Sequence, residues 1–268
     1  MNVRDLPLAL QRAEEIERLL GDRRPAVFLD YDGTLTPIVD RPDDALLPVE
    51  TRDVIERLKE RLPVAVVSGR DLADVRGLVG VDGIAYAGSH GFDIRNVDGS
   101  GRQRGQEFLP DLDAAERDLR LLMDGIDSAF VERKAFAVTA HFRLVEAVRV
   151  PEVEAAVAEV AARHPRLRRT GGKKVFELRP AVEWDKGKAL LWLLDLLGVA
   201  GPDHVPVYAG DDETDEDAFR AIQDRGLGVV VRGEEDDRPT AAQYALRDPG
   251  EARGFLELLW SIAGNHRP

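Results

Sequence analysis

The sequence predicts an α/β protein built on a parallel sheet covered on both faces, with a second, smaller α/β unit inserted into it. Three observations carry this. Short apolar runs such as AVFL, PVAVV and HVPVYAG alternate with stretches of helical spacing and lack the polar alternation of half-exposed strands, the pattern of strands buried on both sides. At residues 99–106 the glycine-rich GSGRQRGQ breaks that rhythm, an α-β-β-α-β-β order follows to Pro180, and the first rhythm then resumes. The chain has 268 residues; at about 150 residues per domain this suits one full domain and a smaller one. The expected limits are 1–104 for the first part of the core, 105–182 for the insert and 183–268 for the second part.

Taken in order, Leu8–Leu20 has helical spacing and ends before the breakers GDRRP, after which AVFLD reads as a buried strand. Residues 48–61 read as a helix, PVAVVS as a strand, GRDLADVRGLVG as a helix, and IAYAGSHGFDIR as strand, turn and strand. GSGRQRGQ is expected to be a linker. In the insert, FLPDLDAAERDLRLLMDGI is a helix, FVERK and FAVTAHFRLV are strands, PEVEAAVAEVAARH is a helix, and LRRTGGKKVFELRP is a second strand pair. These suit one sheet with both helices on one face. Then come a helix in DKGKALLWLLDLL, the strand HVPVYAG, the helix EDAFRAIQD, the strand GLGVVV, a short AAQYAL segment and a last helix in PGEARGFLELLWSIA. GEEDD at 233–237 reads as a solvated loop, and Lys173 as a solvated turn residue.

Composition narrows the function classes. With 44% hydrophobic and 32% charged residues the chain is globular, which excludes wholesale disorder. A net charge of -13 makes nucleic acid and anionic membranes poor partners, and an anionic substrate would need its own local cations. The absence of Cys excludes disulfides, thiolate metal sites and a Cys nucleophile, and five scattered His argue against zinc chemistry. The N-terminal stretch is broken by acids, and the most apolar run, ALLWLLDLLGVA, is short and carries Asp195. The expectation is a soluble cytoplasmic protein without a membrane span. GGKK lacks Walker spacing and no GxGxxG follows a strand, so nucleotide binding of those kinds is not expected.

The chemistry is concentrated where strands end, which is where open parallel sheets carry their sites. DYDGTLTPI follows AVFL and puts Asp30 and Asp32 together, with Gly33 for a sharp turn and Thr34 as a hydroxyl; an Asx-rich turn is the plainer reading. VVSGR puts Ser68, Gly69 and Arg70 at the next strand end, where a hydroxyl and backbone N–H groups suit phosphate oxygens, although a helix cap at Ser68 reads equally well. GDDETDEDAF puts Asp211, Asp212 and Asp215 after HVPVYAG. Carboxylates this close repel one another unless a cation binds or water surrounds them, and an all-oxygen set suits magnesium; an acidic helix start is the alternative. Lysine is rare, six against many Arg, which raises the interest of Lys186 ahead of a helix.

DYDGT, SGR, DKGKAL and GDDETDED together resemble, in order, the four motifs of the haloacid-dehalogenase-like (HAD) phosphatases. AGSHGFDIR, VERKAFAVTAHFR, GKKVFELRP, GDDETDEDAF and AAQYALRDPGEARGFLELL narrow the resemblance to the trehalose-6-phosphate phosphatases, over about residues 24–262. This implies a Rossmann-like HAD core with an inserted α/β cap, and hydrolysis of trehalose 6-phosphate with Mg2+ as the last step of trehalose synthesis. It implies Asp30 as nucleophile, Asp32 as general acid and then base, Ser68 and Lys186 on the phosphoryl group, and Gly33, Thr34, Gly69 and Arg70 in the phosphate loop. Magnesium would be held by Asp30, the carbonyl of Asp32 and Asp211, with Asp212 or Asp215 direct or through water.

For the sugar, the resemblance implies Lys134, His141, Arg143, Lys174 and Glu177 in the cap and His90 and Gly91 in the core, with closure of the cap over Asp30. His141 and Arg143 also read as surface members of a strand. Ser89 stands where relatives often carry another polar residue. With no glycosyltransferase domain in these residues, the chain is expected to act beside a separate trehalose-6-phosphate synthase. Two readings remain open at this point: a phosphatase for sucrose, glucosylglycerol or mannosylglycerate phosphates, and a non-catalytic sugar-phosphate sensor.

Overall fold

A computed structural model describes residues 1–39, 41–172, 174–233 and 236–265. The expectations for Lys173 and for part of GEEDD, at residues 234 and 235, lie outside the described residues. In chain order the elements are α1 Ala13–Leu20, β1 Arg24–Leu29, α2 Val49–Lys59, β2 Val64–Val67, α3 Leu72–Val79, β3 Ala85–Gly88, β4 Asp93–Arg95 and β5 Gly101–Gln103. Then follow α4 Leu109–Met123, β6 Phe130–Lys134, β7 Ala137–His141, α5 Val150–Arg163, β8 Leu167–Gly172 and β9 Val175–Pro180. The chain finishes with α6 Lys186–Leu196, β10 His204–Gly210, α7 Glu216–Ile222, β11 Leu227–Val231, β12 Tyr244–Leu246 and α8 Pro249–Asn265.

The chain divides into two compact units, one of residues 1–102 and 184–268, the other of residues 103–183. The first is an α/β unit whose sheet runs β12-β11-β10-β1-β2-β3-β4-β5. From β12 to β3 every pairing is parallel; β3 and β4 are antiparallel, Ala87 opposite Ile94. The apolar runs explain this, because nearly every residue of β1, β2, β10 and β11 is buried and helices must cover both faces. Val27, Leu29, Val66, Val207 and Val229 share one core with Ile55 of α2 and Phe255 of α8. The chain leaves β1 towards β2 on one side and has β10 on the other, so the carboxyl ends of β10, β1 and β2 lie side by side at the point where the strand order reverses.

Two local expectations are corrected. The helix expected from Leu8 begins as a 3-10 turn at Ala9–Arg12 and becomes α-helical only at Ala13. The cause is the sheet: Leu8 bridges to Ala245, and Ala245 donates its N–H to the carbonyl of Pro7, which keeps the chain extended up to that point. The expected linker contains β5. Gly99, at φ +81°, lets residues 96–100 turn tightly, with Asn96 donating to Ser100 and Gly99 donating to Asn96, so Gly101–Gln103 is laid beside β4.

The second unit is a four-stranded antiparallel sheet in the order β6-β7-β9-β8 with α4 and α5. Val131, Val138, Ala140 and Leu178 alternate onto the face that packs with Leu112 and Leu119 of α4 and Val153, Val157 and Val160 of α5. The other sheet face therefore carries residues of opposite parity. Across it the register sets Glu132 beside Thr139, Thr139 beside Glu177 and Glu177 beside Thr170.

Candidate active site

Asp30 is the first residue beyond β1, and its N–H donates to the carbonyl of Ala209 at 2.9 Å, which locks the two central strands together where they end. The chain then turns sharply, with Leu35 and Thr36 both donating to the carbonyl of Tyr31 and Gly33 donating to Thr36 at 2.8 Å. Gly33 sits at φ +84°, and a Cβ there would lie 2.0 Å from Asp211 Oδ2. Glycine is needed for both the turn and the close approach of that carboxylate. Thr34 is fully buried, and its hydroxyl has no hydrogen-bond partner among the described protein atoms.

Asp30, Asp211 and Asp215 bring one carboxylate oxygen each within 4.8 Å of one another, and all three are buried. Lys186 stands against them because Asp185 caps α6, accepting from the N–H of Lys188 at 2.8 Å, and so fixes the first turn of that helix. Lys186 Nζ donates to Asp30 Oδ1 and to Asp215 Oδ1, both at 2.7 Å. Asp215 Oδ1 also accepts from the Tyr208 hydroxyl at 2.6 Å, and Asp215 Oδ2 accepts from the N–H groups of Asp211 and Asp212 at 3.0 and 2.9 Å. Asp212 is half-buried and caps the same turn, its carboxylate accepting from Glu213 N–H.

The electrostatics follow from these partners. Burial pushes the Asp30 carboxyl well up, Lys186 opposes it, and Asp215 and Asp211 add to the rise. At Asp215 burial also pushes upward, but Lys186, Tyr208 and the backbone donors outweigh it and hold the carboxyl low. Lys186 is pulled down by burial and driven up further by Asp215 and Asp30, so it stays charged. With all three carboxyls ionised, as a bound cation would hold them, they outweigh the one ammonium by two charges away from bulk water, and every ligand atom they offer is oxygen. That charge and that donor set fit a hard divalent cation such as magnesium.

Asp32 is held differently. Arg70 grips its carboxylate with both arms of the guanidinium, Nε to Oδ2 at 2.7 Å and Nη2 to Oδ1 at 2.8 Å, and also donates to Asp74 and to the carbonyl of Pro42. The Arg70 side chain thus serves Asp32, while its N–H donates to Ser68 Oγ at 3.1 Å. The chain beyond β3 presses on this segment. Ser89, His90 and Gly91 all have positive φ, and the turn is fixed by Ser89 N–H on the carbonyl of Arg70, by His90 N–H on that of Ser68 and by the Ser89 hydroxyl on Asp71. A Cβ on Gly69 would lie 2.7 Å from the His90 ring, and one on Gly91 would lie 2.2 Å from Ala189 Cβ. Ser68, Gly69, His90 and the start of α6 are therefore in contact. The Ser89 hydroxyl has a defined partner in Asp71 where the sequence left its contact open.

In the second unit, Lys134, His141 and Glu177 share the sheet face that lacks helices. Glu177 is buried, and its Oε1 accepts from Lys134 Nζ at 2.8 Å and from the Thr139 hydroxyl at 2.9 Å. His141 lies 2.7 Å from Glu132 Oε2 and stacks on Phe130 with ring centroids 4.1 Å apart. This hydrogen bond holds the Glu132 carboxyl low. Arg143 follows β7 and is half-buried. Lys174 is exposed at φ +67° in the turn between β8 and β9, where its carbonyl accepts from Phe142.

Sequence reasoning missed Tyr208 and Arg238. Tyr208 passes for a core aromatic in a buried strand, and nothing in its spacing points to Asp215. Arg238 follows the acidic run and donates to the carbonyl of Asp211 at 3.1 Å while pairing with Asp236 and Glu216. Glu216 in turn accepts from Ala241 N–H at 2.9 Å, so the back of the carboxylate loop is tied down.

Comparison with known proteins gives the family. Residues 28–250 match the family model described as trehalose-phosphatase. The trehalose-phosphate phosphatase of Mycobacterium tuberculosis is 46% identical over 258 residues, which are 95% of this chain and 66% of that protein. Trehalose-phosphate phosphatase B of Arabidopsis thaliana is 40% identical over 264 residues, 94% of this chain and 71% of that protein. This chain therefore spans about two thirds of the mycobacterial relative. A crystal structure of a trehalose-6-phosphate phosphatase related protein superposes with a TM-score of 0.76 at 28% identity, covering 90% of this chain and all of that one. With the carboxylate cluster, Lys186 and the sheet order in place, the chain belongs to the trehalose-phosphatase family.

Proposed function

We propose that the protein hydrolyses trehalose 6-phosphate to trehalose and phosphate through an aspartyl-phosphate intermediate, with Mg2+ as cofactor. The observation that carries this is the buried contact of Lys186 Nζ with Asp30 Oδ1 inside a cluster of three carboxylates. A carboxylate held by an ammonium at a strand end, beside a turn that glycine keeps open, is a nucleophile ready for in-line attack on phosphorus.

In the first step an Asp30 oxygen forms the bond to phosphorus and the bond from phosphorus to the sugar oxygen breaks. Asp32 supplies the proton to that oxygen, so trehalose leaves as a neutral alcohol. In the second step water attacks the phosphorus of the acyl phosphate, Asp32 takes the proton, and Asp30 is released. Lys186 balances charge on Asp30 and the phosphoryl oxygens throughout, and Ser68 and the backbone around Gly33, Thr34 and Gly69 surround the phosphoryl group. To reach the sugar oxygen, Asp32 must part from one arm of the Arg70 fork. Asp30, the carbonyl of Asp32 and Asp211 would hold the magnesium, which supplies further charge compensation at the transferring group.

Unit 103–183 acts as the cap in this reading and reads the sugar through Lys134, His141, Arg143, Lys174 and Glu177, with His90 and Gly91 contributing from the core. A disaccharide rich in hydroxyls suits paired donors and acceptors that a smaller ester would leave unsatisfied. The substrate would come from a separate trehalose-6-phosphate synthase in the cytoplasm. No helix among the described residues is long and apolar enough to cross a membrane.

A panel of phosphomonoesters with magnesium tests the substrate, with trehalose 6-phosphate expected to give the highest kcat/KM. A higher value on sucrose, glucosylglycerol or mannosylglycerate phosphate would reassign the sugar, and no turnover of any ester would leave a binding protein. Rapid quenching with labelled substrate should place phosphate on Asp30; label on Ser68 would overturn the mechanism.

A further inference from the structure

We infer that Tyr208 and Asp215 form a positioning relay for Lys186, and that Asp215 serves this relay instead of ligating the metal. The inference rests on the proposed phosphatase reaction and deepens it.

Asp215 lies within reach of Asp30 and Asp211, so proximity alone would make it a third ligand. Its hydrogen bonds say otherwise. A carboxylate has about four lone-pair positions, and those of Asp215 are occupied by Lys186 Nζ and the Tyr208 hydroxyl on Oδ1 and by two backbone N–H groups on Oδ2. To bind a cation directly it would have to give up one of these buried donors and leave it unsatisfied. The two N–H donors belong to Asp211 and Asp212, so Oδ2 shapes the loop that carries the Asp211 carboxylate. Oδ1 and Asp30 Oδ1 hold Lys186 from two sides at equal distances of 2.7 Å.

Tyr208 completes the arrangement. It is fully buried on β10, its ring edge-on to Phe219 of α7 at 5.7 Å and 81°, and its hydroxyl donates to Asp215 at 2.6 Å. Cβ crowding fixes the other side: a Cβ on Gly210 would lie 2.3 Å from Asp215 Cγ, so this glycine lets the carboxylate sit against the end of β10. Together they hold Nζ in one place, where a lysine side chain would otherwise sample several rotamers. Lys186 then meets Asp30 already oriented, and the gain appears in the chemical step.

The test compares Tyr208→Phe, Asp215→Asn and Asp211→Asn in the full chain. It measures kcat and KM on trehalose 6-phosphate at saturating magnesium, and magnesium affinity by calorimetry without substrate. Tyr208→Phe removes one hydroxyl and keeps the ring on Phe219. It should lower kcat about 5- to 10-fold, the scale of one ordinary net hydrogen bond, and leave KM and magnesium affinity within about twofold. Asp215→Asn sets an amide N–H2 against donors whichever way it turns, so kcat should fall at least about 100-fold. Magnesium should still bind to it within about tenfold of the parent, whereas Asp211→Asn should bind none detectably. A purely structural role would lower the melting temperature and move kcat, KM and metal affinity together. Loss of magnesium binding in Asp215→Asn equal to that in Asp211→Asn would overturn the inference, and so would parental kcat in Tyr208→Phe. If Asp215→Asn does not fold, Tyr208→Phe decides alone. A parent chain that hydrolyses no phosphomonoester would refute the phosphatase reading, which is a separate result from a parent that works and a Tyr208→Phe that works equally well.

Discussion

Gly33→Ala isolates the close approach on which the carboxylate cluster depends. Two costs are expected. Alanine at φ +84° adopts a left-handed conformation, at about 1–2 kcal/mol. The new methyl also lies 2.0 Å from Asp211 Oδ2 and 2.4 Å from its Cγ, and Asp211 is buried and short, so the strain is of the overpacking kind, about 1–3 kcal/mol. The total is about 2–5 kcal/mol, and only the second part needs Asp211. In an Asp211→Ala background the same substitution should cost about 1–2 kcal/mol, the left-handed part alone. The assay is urea unfolding of the metal-free protein followed by tryptophan fluorescence. Trp184, Trp192 and Trp260 are the three tryptophans of the chain and all lie in the first unit, so the signal reports the unit that carries the site. A cost of Gly33→Ala that is the same in both backgrounds to within about 0.5 kcal/mol would refute the steric argument and leave only the dihedral one.

Other outcomes follow from the same geometry. Asp30→Asn should abolish phosphate release. It should also raise the melting temperature of the metal-free protein at neutral pH, because an acid whose folded pKa is raised contributes stability below the unfolded value and loses it as pH rises through the folded one; a lower melting temperature would contradict this, and added magnesium should reverse the order. Chelation should remove activity and magnesium restore it, with calcium, larger and less strict in geometry, a poor substitute; full turnover in demetallated protein would sink the cofactor assignment. Glu177→Ala should cut kcat/KM on trehalose 6-phosphate roughly 10- to 100-fold and change p-nitrophenyl phosphate hydrolysis far less, whereas equal losses on both esters would make Glu177, which already pairs with Lys134 and Thr139, a support of its own sheet.

The parallel sheet was legible because its strands are buried on both faces, which writes itself as unbroken apolar runs such as AVFL and VPVYAG. The strand-end motifs were legible for a related reason: Asp30, Ser68 and Asp211 each stand directly after or just past such a run. Hydrogen-bond direction was not legible. The string SGR points to a hydroxyl and backbone N–H groups at a strand end; that the Arg70 fork closes on Asp32 is visible only once β1 and β2 pair. The delayed start of α1 was hidden for the same reason, since it is imposed by Ala245, a partner distant in sequence.

Aspartate illustrates why composition could not assign these roles. One residue type serves five purposes in this unit, and partners decide between them. Asp185 meets an N–H of its own helix and caps it; Asp32 meets a guanidinium fork and is held at the edge of the site, its side chain still partly exposed. Asp215 meets four donors and becomes an anchor, while Asp30 meets one ammonium and two other acids and is left raised. Asp211 approaches a glycine that has no Cβ to keep it away. Desolvation alone would push such buried carboxyls up together. Their separation into a low, saturated Asp215 and a raised Asp30 requires donors placed on one and withheld from the other. That placement is supplied by Tyr208, by the turn at residues 211–212 and by the cap on α6, so the partners of Asp215 and Lys186 set which acid is raised.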